Sequence, residues 1–513
     1  MTSWNPGMLP KVHPTVVHML ADAAARSPSA TALVVGDRRV DYAQYLRCTA
    51  RFAHELGRLG AGRGERVALI LGNSLDMPIA MFGVHAAGAQ AVPINPAYTT
   101  RELSHILSDA APIAVVYDAA IAATVEPLAA SLGIRHTLSL KGDSLVGTAG
   151  EDATLPLPLP APDDLASLQY TGGTTGLPKG VDITHGQMAV NISQREAALP
   201  TRADDESVLC TMPLFHVFAV AMCLHLAAYC RGKLVILPRY KPEAVLDAMS
   251  AEHISRLPAG PTIFIGLLNH ERIRATDFSS LRSAYSGSAP LPEETLKRWQ
   301  ELTGTPILEG FGQTEAGPVL TYIREGGVLK PGASGRALPL TEVQIVDVET
   351  GTQVLTAGEL GEVRARGPQT MAGYRNRPEE TAAALREGWL YTGDIGELDT
   401  DGYLYIRDRK KDMAIVGGYN VYPREVDEVL YSHPAVKEAA AAGVPDPYYG
   451  ERIRAYVVLK EGAQATVEEL LAHCAASLAR YKVPARLFMV SELPRTTVGK
   501  IDRKALREQL KNL

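Results

Sequence analysis

Over residues 14–140 the apolar positions switch repeatedly between helical and strand spacing. Residues 16–25 and 42–59 carry the helical period, and residues 31–35 and 38–42 read as a hairpin turning at Gly36-Asp37. An apolar run at 66–71 predicts a buried strand. A helix at 75–87, a strand at 91–94, a helix at 100–109 and a strand at 113–117 follow. This alternation predicts layered sheets flanked by helices. Residues 144–164, rich in Gly, Pro and Ala, read as a connecting loop, and 165–170 as a short buried strand. The same rhythm resumes through 234–237, 242–251, 262–268 and 281–286. From Ser334 the texture changes to short alternating strands with glycine turns, at 343–346, 361–365 and 403–406. Asp408-Arg-Lys-Lys-Asp412 is the predicted domain boundary. Beyond it, helices at 423–432 and 467–478 and strands at 436–444 and 455–459 make a small α+β unit. The expected fold class is therefore α/β. A large N-terminal domain, 1–408, carries layered α/β sheets and a β-rich subdomain, and a small α+β C-terminal domain spans 409–513.

Composition narrows the function. A chain of 513 residues, 46% hydrophobic and 21% charged, has the balance of a soluble globular protein of two or more domains. A net charge of −6 provides no basic field, so no nucleic-acid partner is expected. The five cysteines (Cys48, Cys210, Cys223, Cys230, Cys474) are scattered without a Cys-x-x-Cys pair. That points to reduced thiols in a cytoplasmic setting and away from a zinc site. The N-terminus lacks the pattern of a signal peptide. The most apolar stretch, 217–230, is too short to cross a bilayer and contains His225, so it reads as a buried helix. No integral membrane segment is expected, and a homodimer is carried as a candidate assembly.

The strongest chemical signal is Thr171-Gly-Gly-Thr-Thr-Gly-Leu-Pro-Lys179, with three glycines, three threonines and a lysine in nine positions. Gly172, Gly173 and Gly176 let backbone approach a ligand closely. Successive N–H groups, with the hydroxyls of Thr171, Thr174 and Thr175, can converge on an anion. Lys179 adds a cation. The Walker pattern needs its lysine directly after a glycine, and Pro178 stands there instead. A polyphosphate loop of another kind is predicted.

Tyr170-Thr-Gly-Gly-Thr-Thr-Gly-Leu-Pro-Lys-Gly180 resembles the signature of the AMP-forming adenylating enzymes: acyl-CoA synthetases, luciferases and peptide-synthetase adenylation domains. The usual form has serine where this chain has Gly172. Further motifs follow in the family's order, so the resemblance covers nearly the whole chain. It implies ATP on Thr171, Gly172, Gly173, Thr174, Thr175, Gly176 and Lys179, with Ser288 added, and a catalytic part for Thr175.

Glu309-Gly-Phe-Gly-Gln-Thr-Glu315 follows a buried run and, by itself, reads as a strand-end turn. Phe311 offers an aromatic face, Gly310 and Gly312 permit close approach, and Thr314 and Glu315 bring a hydroxyl and a carboxylate. The resemblance places adenine beside Phe311, usually tyrosine in the family, phosphate on Thr314 and Mg²⁺ on Glu315. Tyr391-Thr-Gly-Asp394 puts a carboxylate after a predicted Gly turn. Its likeness is to the family's ribose-binding aspartate, with Arg409 matching the supporting arginine. Lys411 matches the hinge about which such enzymes swing a mobile small domain. Pro494-Arg-Thr-Thr-Val-Gly-Lys500 resembles the family's C-terminal loop with its catalytic lysine. A cation is needed there because carboxylate attack on the α-phosphate brings two anions together. Gly417 and Gly418 resemble the loop lining the family's pantetheine tunnel, and also fit a glycine turn between strands.

Pro213-Leu-Phe-His216-Val-Phe218 matches the segment whose histidine sits over the family's acyl entrance, although a histidine among apolar residues is otherwise a packed core residue. No aspartate stands near to hold an amino group. The stretch Pro261-Thr-Ile-Phe-Ile-Gly266 has no cation for a second carboxylate. The expected acyl wall is His216, Phe218, Ala259, Gly260, Ile263, Tyr285, Gly287, Gly310 and Val319. That set fits a monocarboxylic acid with a hydrophobic tail, fatty rather than aryl. The resemblance thus implies an acyl-CoA ligase using ATP, Mg²⁺ and coenzyme A. The alternatives are an aryl-carboxylate ligase and an adenylating enzyme serving a carrier protein.

Overall fold

The computed structural model of the chain describes residues 9–147, 153–171, 178–289, 291–496 and 501–511. Its seven-stranded sheet runs in the order Gly373–Tyr374, Lys179–Thr184, Leu165–Thr171, Gln90–Pro93, Arg66–Ile70, Ala114–Asp118, His136–Leu140. Within strand Arg66–Ile70 successive side chains take opposite faces. Val67 and Leu69 join the main core, while Ala68 and Ile70 pack with Leu103 and Ile106 of helix Thr100–Ala110. A nine-stranded sheet runs Arg336–Ala337, Val319–Tyr322, Ile307–Gly312, Ser283–Ser286, Arg256–Ala259, Ser207–Cys210, Lys233–Ile236, Thr31–Val35, Arg38–Asp41.

Helix Asp76–Ala86 is buried on every side, as a helix enclosed by other layers must be. It carries His85, whose ring lies 5.3 Å from that of His185, and Phe82, 6.2 Å from His225. All three histidines are buried, and burial pushes His185 and His225 down to about 3. They are neutral core residues at pH 7.

A third sheet, Glu342–Val346, Gly361–Arg366, Trp389–Leu398 and Leu385–Arg386, with Leu404–Arg409 also on Trp389–Leu398, is the β-rich part. The C-terminal sheet, Tyr419–Val421, Ala414–Val416, Gly450–Leu459, Val436–Asp446 and Arg486–Met489, packs with helix Pro423–Tyr431 into a core drawn from residues 414–487 alone. The expected α/β architecture, large sheets first and a smaller α+β unit last, is the one observed.

Three local expectations are corrected. The helix at 217–230 is interrupted: Val217–Ala219 passes into a π-helical turn at Val220–Leu224 before His225–Cys230 resumes. The Glu309 motif is a turn only in its second half: its first four residues continue strand Ile307–Gly312, and Thr314 and Glu315 begin the 3₁₀ turn beyond it. Nor does Asp394 follow a turn. It lies within strand Trp389–Leu398, where Gly393 takes φ +71° and the register against Gly361–Arg366 shifts. A left-handed residue inside a strand is a bulge, and bulges re-aim side chains beside functional sites.

Candidate active site

Thr171 ends one strand, Lys179 begins the next, and the two are register partners in an antiparallel pair. The Gly/Thr loop is thus the connection of a β-hairpin whose ends are held side by side. Gly172, Gly173, Thr174, Thr175 and Gly176 lie outside the described residues. The loop's flanks are tied to helix Thr100–Ala110: Tyr170 donates to Asp109 at 2.7 Å, and His105 Nε2 lies 3.1 Å from the Pro178 carbonyl.

Lys179 Nζ sits 4.9 Å from the centre of the Tyr374 ring. The Tyr374 hydroxyl donates to Glu315 Oε1 at 2.8 Å. This chain of cation, phenol and carboxylate links the hairpin to Glu315. Tyr374 escaped the sequence reading because 59 residues separate it from Glu315 and nothing in Gly373-Tyr374 marks it. One oxygen of Glu315 is committed to the phenol, which leaves the other for a cation. Among the described residues no group of three or more His, Cys, Asp or Glu is placed to hold a metal. A divalent ion here would be shared with phosphate oxygens, the usual arrangement for Mg²⁺. Tyr374→Phe keeps the ring and frees Glu315. We expect a roughly threefold to tenfold rise in the Mg²⁺ concentration needed for half-maximal adenylation, the worth of about one hydrogen bond. A Mg²⁺ titration of pyrophosphate release checks it.

The glycines of the Phe311 segment have a packing cause. A β-carbon on Gly310 would fall 2.3 Å from the Tyr322 ring, and one on Gly312 would fall 2.0 Å from the Pro318 carbonyl oxygen. Close pairing with strand Val319–Tyr322 requires both. Phe311 is half-buried and packs against two clusters. Thr314 and Glu315 lie on the single 3₁₀ turn Thr314–Ala316 that follows. Ser288 holds φ +69°, a strained backbone of the kind that gathers at ligand sites.

Asp394 and Arg409 are register partners on adjacent strands, and Arg409 Nε lies 2.9 Å from Asp394 Oδ1. Asp394 is only 3% exposed, and its Oδ2 has no partner. Burial pushes its carboxyl up to about 6; Arg409 opposes that rise, and Glu315 reinforces it. A buried carboxylate oxygen without a donor is costly. Paired hydroxyls of a ribose would satisfy it. The charges of Glu315 and Lys411 are felt at Asp394, so the three elements converge on one place.

On the acyl side, His216 precedes the short helix Val217–Ala219, and its Nδ1 accepts from the Phe218 N–H at 3.2 Å. Gly287 faces Phe218, whose ring would stand 2.7 Å from an added β-carbon. Ala259, Ile263 and Val319 are buried, and Gly260 has open space where a side chain would be. The Tyr285 hydroxyl is taken by Arg256 at 2.5 Å, inside a network with Glu206 and Glu325.

In the C-terminal unit Lys411 is exposed and Lys500 lies outside the described residues. Gly417 and Gly418, at φ +58° and +86°, form the tip of the hairpin joining Ala414–Val416 to Tyr419–Val421. Two consecutive left-handed residues explain both glycines. Glu309 is buried with Oε1 unpartnered, and burial pushes it up to about 7 against the pull of Arg424 on helix Pro423–Tyr431.

A hairpin loop of glycine and threonine, a carboxylate able to share a cation with phosphates and an orphaned aspartate oxygen, approached by a second small unit, define a nucleotide-dependent enzyme of two parts. Family models extend this. Residues 20–375 match the AMP-binding enzyme model, and residues 425–500 match the AMP-binding enzyme C-terminal domain. The chain belongs to the AMP-binding enzyme family, in its acyl-CoA ligase branch. It is 38% identical to a long-chain-fatty-acid–CoA ligase of Bacillus subtilis (strain 168), over 98% of this chain and 96% of that one. It is 36% identical to a feruloyl-CoA synthase of Amycolatopsis sp, over 95% and 97%. The structure of ATP-bound MatB from Rhodopseudomonas palustris superposes with a TM-score of 0.90 at 31% identity, covering 97% of this chain and 99% of that one. No described helix is long and apolar enough to cross a membrane.

Proposed function

We propose that the chain is a fatty acid–CoA ligase. It joins a hydrophobic monocarboxylic acid to ATP, giving acyl-AMP and pyrophosphate, and then passes the acyl group to the thiol of coenzyme A. A carboxylate is a poor electrophile, and linking it to AMP supplies a good leaving group. In this reading Thr171, Gly172, Gly173, Thr174, Thr175, Gly176 and Lys179 cradle the phosphates, with Thr175 and Thr314 donating hydroxyls. Glu315 would hold a Mg²⁺ ion, which would offset the phosphate charge, and Phe311 with Gly310, Gly312 and Ser288 bounds the adenine. Asp394 accepts from the ribose hydroxyls and Arg409 keeps it charged. Lys500 neutralises the charge that builds on the α-phosphate. The large domain, 1–408, holds ATP and acid. The small domain, 409–513, turns about Lys411 to exchange Lys500 for the Gly417-Gly418 tip as coenzyme A enters. His216 gates an acyl pocket walled by Phe218, Ala259, Gly260, Ile263, Tyr285, Gly287 and Val319. The cytoplasm is the setting that supplies all three substrates.

The observation that carries this reading is the buried, unpartnered Oδ2 of Asp394 beside Arg409 and near Glu315, in a chain akin over its length to fatty acid–CoA ligases. A second reading, an aryl-acid CoA ligase, is favoured by the likeness to feruloyl-CoA synthase. Pyrophosphate release across fatty, aryl and dicarboxylic acids, with coenzyme A present, tests both. We expect turnover with fatty acids and little with dicarboxylic acids. A preference for aryl acids selects the second reading, and release without thioester formation rejects both.

A further inference from the structure

Between the two large sheets lies a cavity of about 20 Å³, room for little more than one water. Its wall includes Val217 and Val319, the first beside His216 and Phe218 and the second on the expected acyl wall. The π-helical turn contributes Val220 and Ala221. Unlike the acyl wall expected from the sequence, this cavity has polar sides. Arg195, 1% exposed, gives Nη1 to the Ala221 carbonyl at 3.1 Å and Nη2 to Glu196 at 3.4 Å, and its Nε has no partner. His225, 2% exposed, leaves Nε2 unpartnered. Asn191 is fully committed: it clamps the backbone of Val319 from both sides, at 3.1 and 2.9 Å, and donates to Gln194.

The Arg195 Nε–H, on a residue lining this small space, requires a hydrogen-bond acceptor, and the neutral His225 beside it offers Nε2 as a further donor or acceptor, according to its tautomer. The Arg195 N–H can only donate. A tail of pure hydrocarbon reaching this point would displace any water and leave that donor stranded. A tail ending in an oxygen would take its place.

We propose that this cavity is the far end of the acyl pocket, and that Arg195 and His225 select acids bearing a hydrogen-bond-accepting oxygen at the end remote from the carboxylate. The inference rests on the ligase reading and names its substrate class more closely. Hydroxylated fatty acids and hydroxy- or methoxy-aryl acids share this chemistry. π-helical turns recur at functional sites, and here the turn delivers the Ala221 carbonyl that anchors Arg195.

The test needs no variant at first. With the full-length enzyme, pyrophosphate release is measured for fatty acids of matched length with and without a terminal hydroxyl, and for cinnamic-type acids with and without a para oxygen. We expect the oxygenated member to win by roughly tenfold or more in kcat/KM in at least one series, since a site built to hydrogen-bond rejects the analogue that cannot. Whichever series discriminates identifies the source of the oxygen. Arg195→Met should erase the preference and raise kcat/KM for the plain acid, and Arg195→Lys should restore part of it. Equal or better use of the plain acid in both series overturns the inference alone and assigns the cavity to a structural water. Inactivity with every acid overturns the ligase reading, and this inference with it.

Discussion

Lys500→Ala is expected to slow acyl-AMP formation by about 10²–10³-fold while leaving transfer from pre-made acyl-AMP to coenzyme A within a factor of a few. The asymmetry follows from where charge develops. In the first half-reaction a carboxylate attacks an already anionic phosphate, and negative charge grows on the equatorial oxygens and on the oxygen bridging to pyrophosphate. A single ammonium placed between them stabilises the transition state more than the ground state, which is the condition for catalysis. In the second half-reaction the thiol attacks a carbonyl and the leaving group is AMP, so no such charge grows on phosphorus. Pyrophosphate exchange measures the first half, and thioester formation from synthetic acyl-AMP the second. Equal loss in both would remove the lysine from phosphate chemistry and leave it a structural part of the C-terminal loop.

Much of the scaffold was legible because periodicity reports on burial. Residues 66–71, 100–109 and 423–432 sit in apolar patterns that only one element type can bury, and each formed that element. The strands that escaped notice broke the pattern for identifiable reasons. Strand Arg256–Ala259 begins with an arginine and contains a proline, yet Arg256 is buried because Glu206 and Glu325 neutralise it. Strand Trp389–Leu398 is interrupted by the Thr392-Gly393 bulge, which read as a turn. The same contrast holds at the site. Gly417 and Gly418 announce a turn by composition alone, whereas the Tyr374–Glu315 contact and the Asn191 clamp on Val319 join residues 59 and 128 positions apart. Arg195 carried no signal at all. On a helix an arginine reads as solvent-facing, and only packing against elements distant in sequence, such as Val217–Ala219 and Val319–Tyr322, encloses it.

Asp394→Asn is expected to damage both half-reactions, and that separates its role from that of Lys500. The AMP moiety passes from the first half-reaction to the second as acyl-AMP, so a group that grips its ribose is needed in both. Asparagine keeps the size but loses the charge, leaves Arg409 without its 2.9 Å partner and offers one acceptor oxygen where there were two. Each hydrogen bond to a charged group contributes about 1.5–3 kcal/mol. The KM for ATP should therefore rise by roughly a hundredfold, and use of acyl-AMP should weaken comparably. The wild-type enzyme should also show an acid limb. Burial raises the Asp394 carboxyl to about 6, so the charged form is complete above that pH and is lost as pH falls through it. kcat/KM for ATP should decline tenfold per unit below about pH 6, since this ratio reports ionisation of the free enzyme. Glu309, pushed up to about 7, titrates nearby, but any limb it causes must persist when Asp394 is changed. Disappearance of the limb in Asp394→Asn assigns it to the aspartate. An unchanged KM for ATP in Asp394→Asn would place the ribose elsewhere and make the Asp394–Arg409 pair a strut between two strands, and a limb that survives unaltered belongs to Glu309.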